Sequence, residues 1–437
     1  MVSSSKNYMV VSSDSHCGPP SDIYREYLEP KYREAYDESL VAIKEAEAKA
    51  ATWGSIGSNN DGHGPSRREV YAAAEKVKEG GSLGAYDPAV RTREMDRDGV
   101  AGEILFPVPI EAGGFKPPFG GGFGPVVGLD SRSGLPGHPY ELRAAGVRAH
   151  NRWVADFCAH DPARHAGAII IELDDIDEAV KEINRARKAG LTGGLSVPNM
   201  ALEAGTPELF YHHPRYEPIW ATCEDLGLPV QNHTFTGSPN YGDAPGTRWI
   251  FSTEISLIAH RLFWFLLWGG ALERHPKLNV VITEAGSWAA QMIEMFDDFY
   301  QWKNPEAARQ ILSMKPSEYW YRQGYLGASP PVGPREVRAR DKVGTRNIMW
   351  GSDYPHREGT WPYTQHRMKA MFAGAPADDI RLMVGENVVR VYGLDKSKLE
   401  TVAARIGPAE SELANVSPGE ATEFWNLWTS TPHDDMD

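Results

Sequence analysis

The chain has 437 residues, 41% of them hydrophobic, which is enough to bury a large core as one α/β domain with insertions or as two ordinary domains. A formal net charge of -14 and a pI near 5.5 exclude the basic surface that phosphate-backbone recognition requires, so no nucleic-acid partner is expected. Three cysteines without a close pair, Cys17, Cys158 and Cys223, argue against a disulfide framework.

The chain opens Met-Val-Ser-Ser-Ser with no apolar core of signal-peptide type. No run approaches the roughly eighteen apolar residues of a membrane span, so a cytoplasmic protein without a membrane partner is expected. A first apolar run, Tyr8–Val11, reads as a buried strand. Residues 24–87 follow as an insertion, with a charged Ala/Glu/Lys helix over Ser39–Thr52 and then a polar Gly/Ser/Asn loop. From Gly99 onward β-rich runs alternate with segments of helical period, the rhythm of βα units around a parallel sheet. The second strand, Val100–Phe106, leads into a Gly/Pro/Phe-rich segment over residues 110–139, read as a lid or pocket wall. No GxxxxGK[ST] pattern accompanies it, which disfavours a phosphate cradle.

The clearest unit spans Ala166–Pro198. Ala168–Ile171 is a strand, and Asp174 or Asp175 caps a helix whose apolar positions Ile176, Ala179, Val180, Ile183 and Ala186 share one face. Gly190 stops that helix, and Leu191–Pro198 supplies the next strand. Leu228–Gln231, Leu278–Thr283, Tyr321–Leu326 and Asn347–Trp350 complete eight strands, the count of a (β/α)8 barrel whose reactive groups lie at the C-terminal strand ends. Ile255–Leu272 is apolar all round, too short to span a bilayer, and reads as a buried face or a homodimer interface. Residues 396–437 read as a polar C-terminal tail or arm beyond a domain of residues 1–395.

Potential metal ligands stand at four of these strand ends. Asp14 and His16, two apart on extended chain, project to one side and together reach one ion. His233 ends the run Leu228–Asn232, and Asp353 closes the last strand after Met349-Trp350-Gly351-Ser352. Each alone is unremarkable for a surface or core residue, but their repetition at four strand ends is not. Arg91 and Arg93, ahead of the second strand, read as surface charges or as partners of a substrate anion.

With Ser13-Asp14-Ser15-His16, Met95-Asp96-Arg97-Asp98-Gly99-Val100, Gln231-Asn232-His233, Thr283-Glu284-Ala285-Gly286-Ser287-Trp288 and Gly351-Ser352-Asp353-Tyr354-Pro355-His356 in place, the chain resembles the amidohydrolase superfamily. Within it, the resemblance is to the amidohydrolase-related branch that includes the aminocarboxymuconate-semialdehyde decarboxylase type of enzyme. The resemblance implies a distorted (β/α)8 barrel holding one divalent ion through Asp14, His16, His233 and Asp353, with Asp14-x-His16 in place of the family's usual His-x-His. It also places Glu284 where decarboxylating relatives carry a histidine, as a further ligand, a general base or a structural hydrogen-bonding residue. The binuclear members' bridging lysine has no counterpart in Gly194–Pro198, which favours a single metal. Zinc suits the mixed His/carboxylate set, with iron or manganese as alternatives. His356 and Glu358 are candidates to support the ligands.

Because the sixth-strand histidine is absent, the expected reaction is hydrolysis. Metal-activated water would attack a carbonyl of an amide, ester, lactone or acyl thioester, with Asp353 or Glu284 taking the proton and His233 completing the catalytic set. The insertions point to a bulky, partly apolar small-molecule substrate. Non-oxidative decarboxylation of a cyclic or aromatic acid is the alternative, and a non-catalytic metal-binding barrel is a third reading.

Overall fold

Apolar runs buried on both sides behave as parallel strands should, because the faces of such sheets are covered by the crossover helices and the core. The computed structural model describes residues 7–52, 83–107, 117–122, 137–198, 210–233, 245–284, 288–303, 305–329, 333–356, 359–414, 416–417 and 419–420. Among these residues the strands are β1 (Val10–Cys17), β2 (Val100–Pro107), β3 (His165–Gly167), β4 (Ile169–Ile170), β5 (Leu195–Ser196), β6 (Val230–Asn232), β7 (Val280–Thr283), β8 (Gly324–Ala328) and β9 (Ile348–Trp350). They form two wholly parallel sheets, β1-β2-β3 and β4-β5-β6-β7-β8-β9.

Two differences from the expected eight strands have local causes. The third run changes partner midway, for β3 pairs with β2 whereas β4 pairs with β5. Ala168 between them donates to the Leu105 carbonyl at 2.8 Å, and Ile169 donates to that of Gly194 at 2.8 Å. One extended stretch therefore serves both sheets. The first strand runs six residues beyond its apolar start, so Asp14 and His16 lie within β1, where Ser15 pairs with Leu105 and His16 with Phe106.

Of the two insertions, the loop at 53–82 and the segments 108–116 and 123–136 lie outside the described residues. The helix Ile176–Lys188 begins on Asp175, whose carboxylate accepts from Glu178 N at 3.0 Å, and it buries Ala179, Ile183 and Ala186 as its spacing predicts. The apolar segment Ile255–Leu272 is divided among three helices that bury Leu262, Phe263, Leu266 and Leu267. No helix among the described residues is long and apolar enough to cross a membrane.

Side chains from both sheets converge on one interior. Val11 of β1, Ile104 and Phe106 of β2, Val281 of β7, Tyr325 of β8 and Met349 of β9 pack in a single apolar cluster with Val388, Val391, Leu399 and Ala403. The helix Lys396–Ile406 packs on this core, with Leu399 and Ala403 buried. Gln231 reaches into the same interior, donating to the Gly193 carbonyl at 2.7 Å and accepting from the Tyr392 hydroxyl at 2.6 Å.

The turn Leu382–Glu386 presses against β1 so closely that a methyl group on Gly385 would collide with the Met9 carbonyl oxygen. Because the obstacle is backbone, relief requires strand movement. Gly385→Ala is expected to cost about 1–3 kcal/mol, the usual range for overpacking a dense core. A urea titration with an unchanged midpoint would contradict this packing.

Candidate metal centre

Buried carboxylates survive only where partners or an ion compensate their lost hydration. Asp14 and Asp353 are both fully buried, and so is His16, with His233 reaching them from the next sheet. Asp14, His16, His233 and Asp353 each offer one donor atom, and these four atoms lie within 4.8 Å of one another. The separations are 3.2 Å from His16 Nε2 to Asp353 Oδ1, 3.6 Å from His16 Nε2 to Asp14 Oδ1, and 3.4 Å from His233 Nε2 to Asp14 Oδ1.

The backbone explains how residues from opposite ends of the chain meet. Beyond β9, Asp353 N donates to the Asp14 carbonyl at 2.8 Å, and His16 N donates to that of Tyr354 at 2.6 Å. Asp353 itself has φ of 56°, left-handed and uncommon for a non-glycine residue. Three hydroxyls knit the irregular junction: Ser15 Oγ lies 3.1 Å from Ser12 Oγ and 3.0 Å from Ser352 Oγ, and Ser12 Oγ lies 3.2 Å from Ser352 Oγ. Gly351 permits the approach, since a Cβ there would sit 2.7 Å from the Asp14 Cβ.

The donor chemistry fits a cation. His16 Nδ1 lies 3.3 Å from the Pro107 carbonyl and Nε2 lies 3.2 Å from Asp353 Oδ1, so both ring nitrogens face oxygens that can only accept. A neutral ring has a single proton for the two; with that proton on Nδ1, Nε2 presents a lone pair. Burial, reinforced by the neighbouring His356, pushes the His16 imidazole well below its ordinary pKa, so it is neutral. A neutral lone pair facing two carboxylate oxygens is repulsive unless a positive ion sits among them. Asp14 is held ionised. Burial alone would raise its pKa, but positive charge at the His233 and His16 positions and the Ser329 hydroxyl bring it below the ordinary carboxylate range. Ser329 Oγ donates to Asp14 Oδ2 at 2.6 Å, which turns Oδ1 toward the imidazoles.

The remaining sequence candidates lie around this group. Glu284, at the end of β7 with φ of 55°, stands outside the four, and its Oε2 is 3.4 Å from His233 Nδ1. The His356 ring is 4.4 Å from that of His16 and half-buried. Glu358 lies outside the described residues. His233 and Glu284 side chains are 15% and 16% exposed, whereas Asp14 and Asp353 are sealed, so the group opens on the His233 and Glu284 side.

Sequence reasoning missed the supports. Ser329 follows β8 as an inconspicuous small residue, and the serines of β1 resemble filler. Arg91, read as a surface or substrate-facing charge, is fully buried. Its guanidinium binds Glu103 at 2.5 Å, lies 3.4 Å over the Tyr354 ring, and reaches the His16 carbonyl at 3.4 Å, so it braces both ends of the junction. Glu103 also accepts from His165 Nδ1 at 2.8 Å. Only the acid at the fourth position of β2, inside an otherwise apolar run, hinted at such a partner.

Burial would raise the Glu103 pKa, but Arg91 and His165 lower it from 4.5 to about 2. Its ionisation therefore stabilises the fold fully above pH 4.5, and that contribution fades as pH falls toward 2. Glu103→Gln should cost roughly 3–5 kcal/mol at neutral pH by leaving Arg91 buried and uncompensated. It should also flatten the acid limb of the stability profile; a wild-type acid limb in denaturant titrations of the variant would contradict the pairing.

Comparison with known proteins places the chain in a family. The amidohydrolase family model matches residues 123–394. The γ-resorcylate decarboxylase of Rhodococcus jostii is 24% identical over 274 residues, 59% of this chain and 80% of that one. In fold, the chain is similar to an amidohydrolase of Mycobacterium avium subsp. paratuberculosis, with a TM-score of 0.59 at 18% identity over 89% of this chain and 100% of that one. It is also similar to the 5-carboxyvanillate decarboxylase of Novosphingobium aromaticivorans, solved with manganese and 4-hydroxy-3-methoxy-5-nitrobenzoic acid, with a TM-score of 0.59 at 15% identity over 90% and 100% of the two chains.

These relatives overturn the expectation of hydrolysis. That expectation rested on one side chain, Glu284 in place of histidine, and a single substitution of that kind does not separate the two reactions. The match across more than half of the chain, together with strand-end donors of the expected kinds, means that the chain belongs to the amidohydrolase family.

Proposed function

We propose that the protein is a decarboxylase of an aromatic acid that depends on one divalent ion, and that its two sheets together form the distorted (β/α)8 barrel expected of the family. The observation that carries this reading is the convergence of four donor atoms within 4.8 Å, three of the four residues being sealed from solvent. The names of the relatives support the reaction class. A structural neighbour carries manganese, which supports that ion over the zinc suggested by the donor types alone.

Asp14, His16, His233 and Asp353 would hold the ion, which when bound supplies a Lewis acid and an anchor for the substrate carboxylate. Asp353 lies at the junction of the strands, and we assign it the proton carried to the substrate. The proton adds to the ring carbon bearing the carboxylate. The bond between that carbon and the carboxylate then breaks, and its electron pair returns to the ring. The balance is arene carboxylate plus one proton giving arene plus carbon dioxide. Phe106, its ring 5.3 Å from that of His233, lines the dry side of the donors and keeps water from competing for the proton.

The test is carbon dioxide release from a panel of hydroxybenzoic acids with added manganese. One equivalent of arene should form per carbon dioxide, chelation should abolish the reaction, and manganese should restore it. Asp353→Asn should slow it roughly 10²–10⁴-fold while the protein stays folded. Release of carboxylic acid from esters or amides, with no carbon dioxide from any aromatic acid, would overturn the proposal.

A further inference from the structure

The His233 ring stands between two carboxylates. Its Nε2 faces Asp14 Oδ1 at 3.4 Å among the four donors, and its Nδ1 faces Glu284 Oε2 at 3.4 Å. The two nitrogens lie on opposite edges of an imidazole, so Glu284 addresses the edge turned away from the donor group. That is the wrong edge for a fifth ligand and the right one for a residue that sets the tautomer.

The tautomer matters because a neutral imidazole binds an ion only through its unprotonated nitrogen. If Nε2 carried the proton it would donate to Asp14, and the ion would lose a ligand. With Nδ1–H directed at the Glu284 carboxylate, Nε2 keeps its lone pair for the ion. His16 has an acceptor of a different kind at the same place, the Pro107 carbonyl 3.3 Å from its Nδ1. The backbone of Glu284 is committed to this placement: its N–H donates to the Gly327 carbonyl at 3.0 Å, continuing the β7–β8 pairing, and its φ of 55° then turns the chain out of the extended conformation.

We infer that Glu284 is a positioning residue that orients His233 and fixes its proton on Nδ1, rather than a ligand of the ion or a base. This inference rests on the metal-site reading proposed above. Carboxylate support of a ligating histidine typically governs metal affinity by 10–100-fold.

The test is metal binding measured on the full chain with wild type, Glu284→Gln and Glu284→Ala. Manganese affinity is read by competition with a chelator, and the ligand set by the visible spectrum of the cobalt(II)-loaded protein. Thermal melting confirms that each variant is folded. Glu284→Ala should bind one equivalent about 10–100-fold more weakly with an unchanged cobalt spectrum. Glu284→Gln, whose amide oxygen still accepts from Nδ1–H, should recover part of the loss. Wild-type affinity in Glu284→Ala would overturn the inference, as would a cobalt spectrum altered as for a lost ligand. If Glu284→Ala does not fold, Glu284→Gln decides alone, and wild-type affinity or an altered spectrum in that variant overturns it. A wild-type chain that takes up no ion overturns the metal reading itself and this inference with it, whereas wild-type binding together with unaffected variants overturns only the role of Glu284.

Discussion

The junction between the first strand and the chain just past the last one is the constraint on which the rest of the site depends. Asp14 and His16 come from one end of the sequence and Asp353 from the other, and regular strand pairing does not hold them together, because Asp353 leaves the extended conformation. Two backbone hydrogen bonds, Asp353 N to the Asp14 carbonyl and His16 N to that of Tyr354, replace the ladder, and the cluster of Ser12, Ser15 and Ser352 fills the gap with hydroxyls. Small hydroxyl side chains suit this place because they satisfy buried polar groups without the volume of an amide or a carboxylate. Arg91 then locks the outer side through Glu103, the Tyr354 ring and the His16 carbonyl.

The electrostatic layout divides into two layers with different logic. In the outer layer, Arg91 and Glu103 compensate each other, so that pair needs no ligand to be stable. In the inner layer, the Asp14 and Asp353 carboxylates face the His16 and His233 imidazoles in a largely buried group. A protein that buries anions in this way gives up stability that only a bound cation returns. The inner layer is thus built for an ion and the outer layer for rigidity, and among the four donors it is His233, beside Glu284, that keeps contact with solvent.

Much of this was legible in the sequence because strand-end placement is encoded locally. Apolar runs ending in Asp, His or Asp-x-His could be read without knowing the fold, and Asp14, His16, His233 and Asp353 are the four that converge. The αβ rhythm from Gly99 onward was equally plain, as was the capping of the helix at Asp175. What escaped was whatever depended on partners distant in sequence. Arg91 looked like a helix surface charge because its partner Glu103 sits on the opposite side of a turn and strand, and Ser329 has no local signature at all. The switch of pairing at Ala168 is invisible because both neighbours are apolar parallel strands. The reaction was misread for a different reason: the absence of a histidine at Glu284 was taken to point to hydrolysis, whereas Glu284 lies beside His233 Nδ1, a position that does not discriminate between the two reactions.

The most direct examination of the central claim is anomalous diffraction from crystals of the protein grown with manganese. The account predicts one peak, bonded to Asp14, His16, His233 and Asp353 through the atoms that now face one another, with Glu284 hydrogen-bonded to His233 and not to the ion. Two peaks, a peak bonded to Glu284, or a peak elsewhere with these four residues unliganded would contradict it.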